Sequence, residues 1–176
     1  MINGRRRALV ASVGVTIAGA AAAVAVMVGG SQGDADEDRT ERQDLVAERG
    51  STVMPFDLEQ TTHHFTPTGS GGIQDVVADR PDDAGQIDLI RTHLRKEAAA
   101  FTRGDFADPA RIHGDDMPGL AELRSGHDRI EVRYEERADG ATLTYTTRDS
   151  TLVGALHDWF EAQLGDHGSH AEAGHS

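Results

Sequence analysis

An unbroken run of twenty-three uncharged residues, 8–30, splits this chain into two regimes and limits what each can fold into. As a helix rising 1.5 Å per residue it would be about 35 Å long, enough to cross the hydrocarbon core of a bilayer. Arg5, Arg6 and Arg7 precede it, and Asp34, Asp36, Glu37 and Asp38 follow. Basic residues stay on the cytoplasmic side, so the sequence predicts a basic cytoplasmic end (residues 1–7), a membrane anchor (8–30) and a globular part outside the cytoplasm. A cleaved signal is the alternative and would give a secreted domain. Ala23-Val24-Ala25 matches a cleavage motif, and Arg6-Arg7-Ala8-Leu9 matches a twin-arginine start. Residues 31–54 are polar and acidic and read as a flexible tether.

The charge balance narrows the partners. Thirty acidic residues face seventeen basic ones, a formal net charge of −13, and Lys96 is the one lysine. Phosphate backbones recruit basic surfaces, so nucleic acid is not an expected partner. Cysteine is absent, which removes disulfides, thiolate metal sites and cysteine nucleophiles.

Residues 55–165 carry the pattern of one small domain. Residues 61–67 alternate, and the turn at Gly69-Ser70-Gly71-Gly72 joins them to a second strand at 73–78. Ile87, Ile90, Leu94, Ala98 and Phe101 then recur every three or four residues, the apolar face of a helix that ends at Gly104. Residues 105–126 connect, with a short helix at 120–124. Ile130, Val132 and Tyr134 alternate with charged residues, Asp139-Gly140 turns, and Leu143 and Tyr145 continue the alternation. A last helix starts at Asp149 or Ser150, buries Leu152, Leu156, Trp159 or Phe160, and Leu164, and stops at Gly165. The order ββα, linker, ββα predicts an α+β fold: a four-stranded antiparallel sheet with two helices on one face. The His- and Gly-rich tail, 166–176, is expected to be disordered.

Histidine carries the chemical signal: nine residues, none before position 63. His63 shares a strand face with Phe65 and should point inward, leaving His64 outward. His113 lies in Ile112-His113-Gly114-Asp115-Asp116-Met117-Pro118-Gly119, a loop mixing imidazole, carboxylates and a thioether. His157 lies on the last helix, and His167 follows it. The functional reading is that His63, His113, His157 and His167 converge with Met117 on a copper or zinc ion. The alternative is that they are separate surface or hydrogen-bonded histidines. His93, on the charged side of its helix, His127 in a turn, and the tail residues His170 and His175 read as structural or solvated. A second reading makes His113 and Asp116 an acid–base pair. A third is a non-catalytic interaction module. No motif assigns an enzyme: G-x-S-x-G is absent, and Gly69–Gly72 lacks the lysine and helix of a phosphate loop, so no nucleotide cofactor is expected.

Several motifs carry a family resemblance. They are Phe56-Asp57-Leu58 with Thr62-His63, Gly72-Ile73-Gln74, His93-Leu94 with Glu97-Ala98, and Gly104-Asp105-Phe106 with Asp108-Pro109. They continue through Ile112-His113-Gly114, Asp116-Met117-Pro118-Gly119-Leu120, Leu156-His157-Asp158-Trp159-Phe160 and Asp166-His167-Gly168. Residues 56–168 thereby resemble a family of small bacterial proteins often labelled aspartate carbamoyltransferase. The enzyme of that name binds carbamoyl phosphate through a Ser-Thr-Arg-Thr loop, which this chain lacks. The resemblance implies a family rather than that activity, and its pattern includes His63, His113, His157 and His167.

Overall fold

The computed structural model of the protein describes residues 31–174. Helix α1 (Ser31–Val53) leads into strands β1 (Thr61–Thr68) and β2 (Gly71–Ala78), then helices α2 (Ala84–Thr102), α3 (Ala107–His113) and α4 (Leu120–Gly126). Strands β3 (Glu131–Glu136) and β4 (Gly140–Thr146) follow, then α5 (Ser150–His167) and a short strand, β5 (Ala171–Ala173).

Both expected hairpins form. β1 pairs antiparallel with β2 from Thr61↔Ala78 to Thr68↔Gly71, and β3 pairs antiparallel with β4 from Glu131↔Thr146 to Glu136↔Ala141. The hairpins join through β2 and β4. α2 and α5 pack on one face of the sheet. The inward residues of β1, β2 and β4, among them Phe65, Val76, Leu143 and Tyr145, are buried there with Trp159 and Phe160 of α5. The opposite face carries Thr142 and Thr144 and stays partly open to solvent, as an antiparallel sheet allows. Side-chain caps set the helix starts: Asp83 accepts from the Gln86 amide and Asp149 from the Thr151 amide.

Gly72 brings α5 close. A Cβ there would lie 2.3 Å from Cε2 of Phe160, so only a glycine lets the ring lie flat on β2. Trp159 meets Phe101, Phe106 and Tyr145 edge-on at 5.8–6.3 Å between ring centres, tying α2, the α2–α3 connection and β4 to α5.

The sheet corrects the expected architecture. It has five strands in the order β3-β4-β2-β1-β5, and β5 runs parallel to β1 through His63↔Ala171, His64↔Glu172 and Phe65↔Ala173. The tail read as disordered supplies this strand. Gly165 does not stop α5, which continues to His167. The chain turns at Gly168 (φ 55°), and residues 171–173 cover the edge that the β1–β2 hairpin leaves unpaired.

The region read as a flexible tether forms α1, which packs on α3 and α5 and buries Val46. The transmembrane helix expected of residues 8–30 lies outside the described residues. Among the described residues no helix is long and apolar enough to cross a membrane, so a membrane-spanning element finds no support.

Candidate functional site

A cluster of polar side chains enters the core under α1 and between α2, α3 and α5. Helix α2 buries Gln86, His93 and Glu97 along with Ile90, Leu94 and Phe101. The spacing 86, 90, 93, 97, 101 follows helical periodicity, so these polar residues share the core-facing stripe. β1 adds His63, α3 adds Asp108 and His113, and α5 adds Trp159, Gln163 and His167. With His93, Leu94, Glu97 and Phe101 of α2 these line an internal chamber of about 60 Å³. A cleft of about 630 Å³ adjoins it, roofed by α1 and closed by residues 166–170. Met54, Phe56, His63 and His167 line both spaces and form the partition between them.

Three imidazoles meet at this partition. The His167 ring stands edge-on to His63 at 5.0 Å and to His113 at 5.1 Å between centres. Burial and the neighbouring imidazoles hold His63 neutral, its pKa lowered to about 3. His167 is lowered well below the ordinary value for the same reasons. His93, buried and near Lys96, is lowered to about 4. The walls therefore present neutral imidazole at physiological pH.

His113 differs from these three. Its Nδ1 lies 2.8 Å from Oδ2 of Asp166, and both side chains are buried. Asp166 also takes a forked pair from Arg42 of α1, Nε to Oδ1 at 2.5 Å and an Nη2 donor to Oδ2 at 2.8 Å. Arg42 donates further to the His113 carbonyl at 3.2 Å. Burial alone would raise the Asp166 pKa, but the bonds from His113 and Arg42 outweigh it and keep the carboxylate ionised. An ionised Asp166 makes Nδ1 the protonated nitrogen of His113 and leaves Nε2 with its lone pair.

Glu97 and Asp108 form a second pair. Burial, and then the neighbouring Asp108, push the Glu97 carboxyl up to about 8. Asp108 is lowered: Lys96 at 2.9 Å, Glu97 and Arg111 at 3.0 Å overcome its own burial. The proton sits on Glu97 and the charge on Asp108. Three buried side-chain polar atoms have no hydrogen-bond partner among the described residues: His63 Nδ1, Glu97 Oε1 and Trp159 Nε1. All three belong to residues of the chamber wall.

The expected copper or zinc centre is corrected by this arrangement. Among the described residues no group of three or more His, Asp or Glu could hold a metal ion. The Nδ1 of His113 is committed to Asp166, and the Nε2 of His167 lies 3.2 Å from Gln163 Oε1. Nε2 of His157 reaches the carbonyls of Thr68 and Gly71, each at 3.0 Å, at the far end of the hairpin. Five residues of strand put that end roughly 16 Å from His63. Met117 is buried in the apolar core and lines neither space.

Of the expected site residues, the structure thus brings together His63, His113 and His167 and leaves out His157 and Met117. Asp116 is exposed, and the carboxylate that reaches His113 is Asp166 instead. Sequence reasoning placed His93 on the charged side of its helix, yet it is buried on the chamber wall. It missed Glu97, Asp108, Gln163 and Asp166 as well. The signal was available for two of these: His93 and Glu97 fall in step with Ile90 and Phe101. Compared with protein-family models, curated proteins and solved structures, the chain matches none.

Proposed function

We propose that the protein binds a small polar organic molecule in the chamber and removes a proton from it, with Nε2 of His113 as the general base. One observation carries this reading: every buried side-chain polar atom without a partner among the described residues belongs to a residue lining one small chamber. A buried group without a partner costs about 1–3 kcal/mol, and three around one space are satisfied together by one polar guest. Perturbed ionisable groups converge on the same walls, as they do where protons are moved. In the dyad, Asp166 holds Nδ1–H and steadies the imidazolium that forms when Nε2 takes a proton. The partition of Phe56, Met54, His63 and His167 separates the chamber from the wider cleft, so the reacting end of a guest is held away from bulk water.

An interaction module would present a contiguous apolar patch. Among the described residues the exposed large hydrophobics are Leu45 on α1 and Leu89 on α2, one on each of two helices. No observation favours that reading over the chamber.

The test is a screen of the full chain against small polar metabolites by ligand-observed NMR and fluorescence. Trp159 is the only tryptophan and stands on the chamber wall, so its emission reports a guest directly. Compounds that bind are then followed for exchange of hydrogen with deuterated solvent. The expected result is labelling of a compound that perturbs Trp159, slowed by about 10²–10⁴-fold in His113→Gln. Binders that leave Trp159 and the His63 ring signals untouched would sink the proposal. So would stoichiometric zinc or copper in elemental analysis of the purified chain.

A further inference from the structure

The walls of the two spaces are acidic. Asp44, Asp57, Glu59 and Asp166 line the cleft, and ionised Asp108 and protonated Glu97 line the chamber; among the described residues no lysine or arginine lines either. Some of these carboxylates are already satisfied: Asp166 is forked by Arg42, and Asp108 is held by Lys96 and Arg111. Asp44 and Asp57 take part in no ion pair among the described residues. Acidic walls alone attract many things weakly. Here a second observation points inward: His63 is 4% exposed and Glu97 6% exposed, both line the chamber, and each keeps a polar atom without a partner among the described residues. The remaining surface is aromatic, with Phe56, Phe65, Phe101 and Trp159 around the same space. Ring faces attract cations, most strongly where water is excluded.

We propose that the chamber takes a small alkylammonium ion carrying a hydrogen-bond acceptor, drawn through the acidic cleft and seated between the aromatic wall and the Glu97 carboxyl. The proposal rests on the chamber being the ligand site, as proposed above, and adds the chemical class of the guest. The acceptor answers the free N–H of Trp159. The ammonium answers Glu97, and its arrival exchanges one charge for another: the carboxyl releases its proton to solvent and the resulting carboxylate faces the cation. One proton leaves for each cation bound. The groups around Glu97 permit this exchange. Lys96 lies beside it on α2, Asp105 and Asp108 approach from the α2–α3 side, and Tyr145 faces it from β4. An anion meets the opposite situation, with no lysine or arginine among the described residues on either wall to receive it.

The probes are ethanolammonium chloride, with ethylene glycol as the neutral control of similar shape and sodium glycolate as the anionic one. Each is titrated into the full chain by calorimetry at neutral pH in two buffers of different ionisation heat, with Trp159 emission followed in parallel. The expected result is binding of ethanolammonium at least about tenfold tighter than either control, with close to one proton released. In Glu97→Gln the release falls to near zero and binding weakens by about tenfold. An Asp44→Asn, Glu59→Gln double variant leaves the chamber intact, slows association and flattens its dependence on salt. Glycol or glycolate binding as tightly as ethanolammonium overturns the cation and leaves the chamber as a ligand site. Ethanolammonium binding without proton release overturns it too. If none of the three alters Trp159 emission, both proposals fall.

Discussion

His113 and Asp166, fifty-three residues apart in sequence, meet at 2.8 Å where the end of α3 touches the last turn of α5. Both are buried, and Arg42 arrives from α1 to complete the trio. Three elements distant in the chain therefore fix one imidazole in one tautomer. Asp166→Asn tests this directly. The amide keeps the shape but loses the charge that holds Nδ1–H and the Arg42 fork. The variant is expected to lose about 2 kcal/mol in denaturant unfolding, since Arg42 stays half exposed and keeps its water. Nitrogen NMR of the His113 ring should show a mixture of tautomers where the parent shows one.

Arg42→Gln acts on the same trio from the other side. α1 is held to the body by Arg42, by Gln43 on the Gly165 carbonyl, and by buried Val46. Without the guanidinium, amide exchange in α1 should rise by about tenfold while α2 and the sheet are unchanged. Arg42→Lys should not restore the slow exchange, since an ammonium cannot fork a carboxylate.

The buried ionisable groups predict how stability varies with pH. Imidazoles in the unfolded chain protonate near 6.5, whereas folded His93 and His63 stay neutral down to about 4 and about 3. Their contribution is present above 6.5 and is lost as pH falls through that window. Glu97 has the opposite sign. Its folded value of about 8 lies above the ordinary 4.5, so its contribution is present below 4.5 and is lost as pH rises towards 8. Denaturant unfolding across pH should show a steep acid limb below about 6.5 and a shallower decline from there to about 8. Glu97→Gln should flatten the decline, and His63→Gln should make the acid limb less steep. Matching curves for the parent and both variants would contradict the assigned protonation states.

His157→Ala separates support from site. His157 bridges the Thr68 and Gly71 carbonyls at the hairpin end, away from the chamber. Its loss should cost about 1 kcal/mol and leave the response of Trp159 to any chamber ligand unchanged. A loss of ligand response with no loss of stability would place His157 in the site after all.

The hairpins and the two long helices were legible because their signals are local. Alternation at 130–134, the Asp139-Gly140 turn and the stripe from Ile87 to Phe101 need no distant partner to be read. β5 and α1 were not legible, because their burial exists only against other elements. Ala171–Ala173 has little strand character of its own and is recruited by the free edge of β1. α1 is charged along most of its length and buries chiefly Val46. The site divides in the same way. His63 and His113 stood out by type and context. Asp116 looked like the partner of His113 because it is near in sequence, whereas Asp166 is near in space. Glu97 and His93 were hidden by the habit of reading polar residues as the outer face of a helix, although their spacing places them inside.

The cleft is built from residues 43–59 and 166–170, which flank the first and last described strands. A chain growing from its N-terminus can lay down β1 to β4, α2 and most of α5 while the doorway is still missing one jamb. The cleft is therefore finished only when residues 166–170 come home. Trimming the protein back to residue 165 should leave a folded body with its inner room open to water.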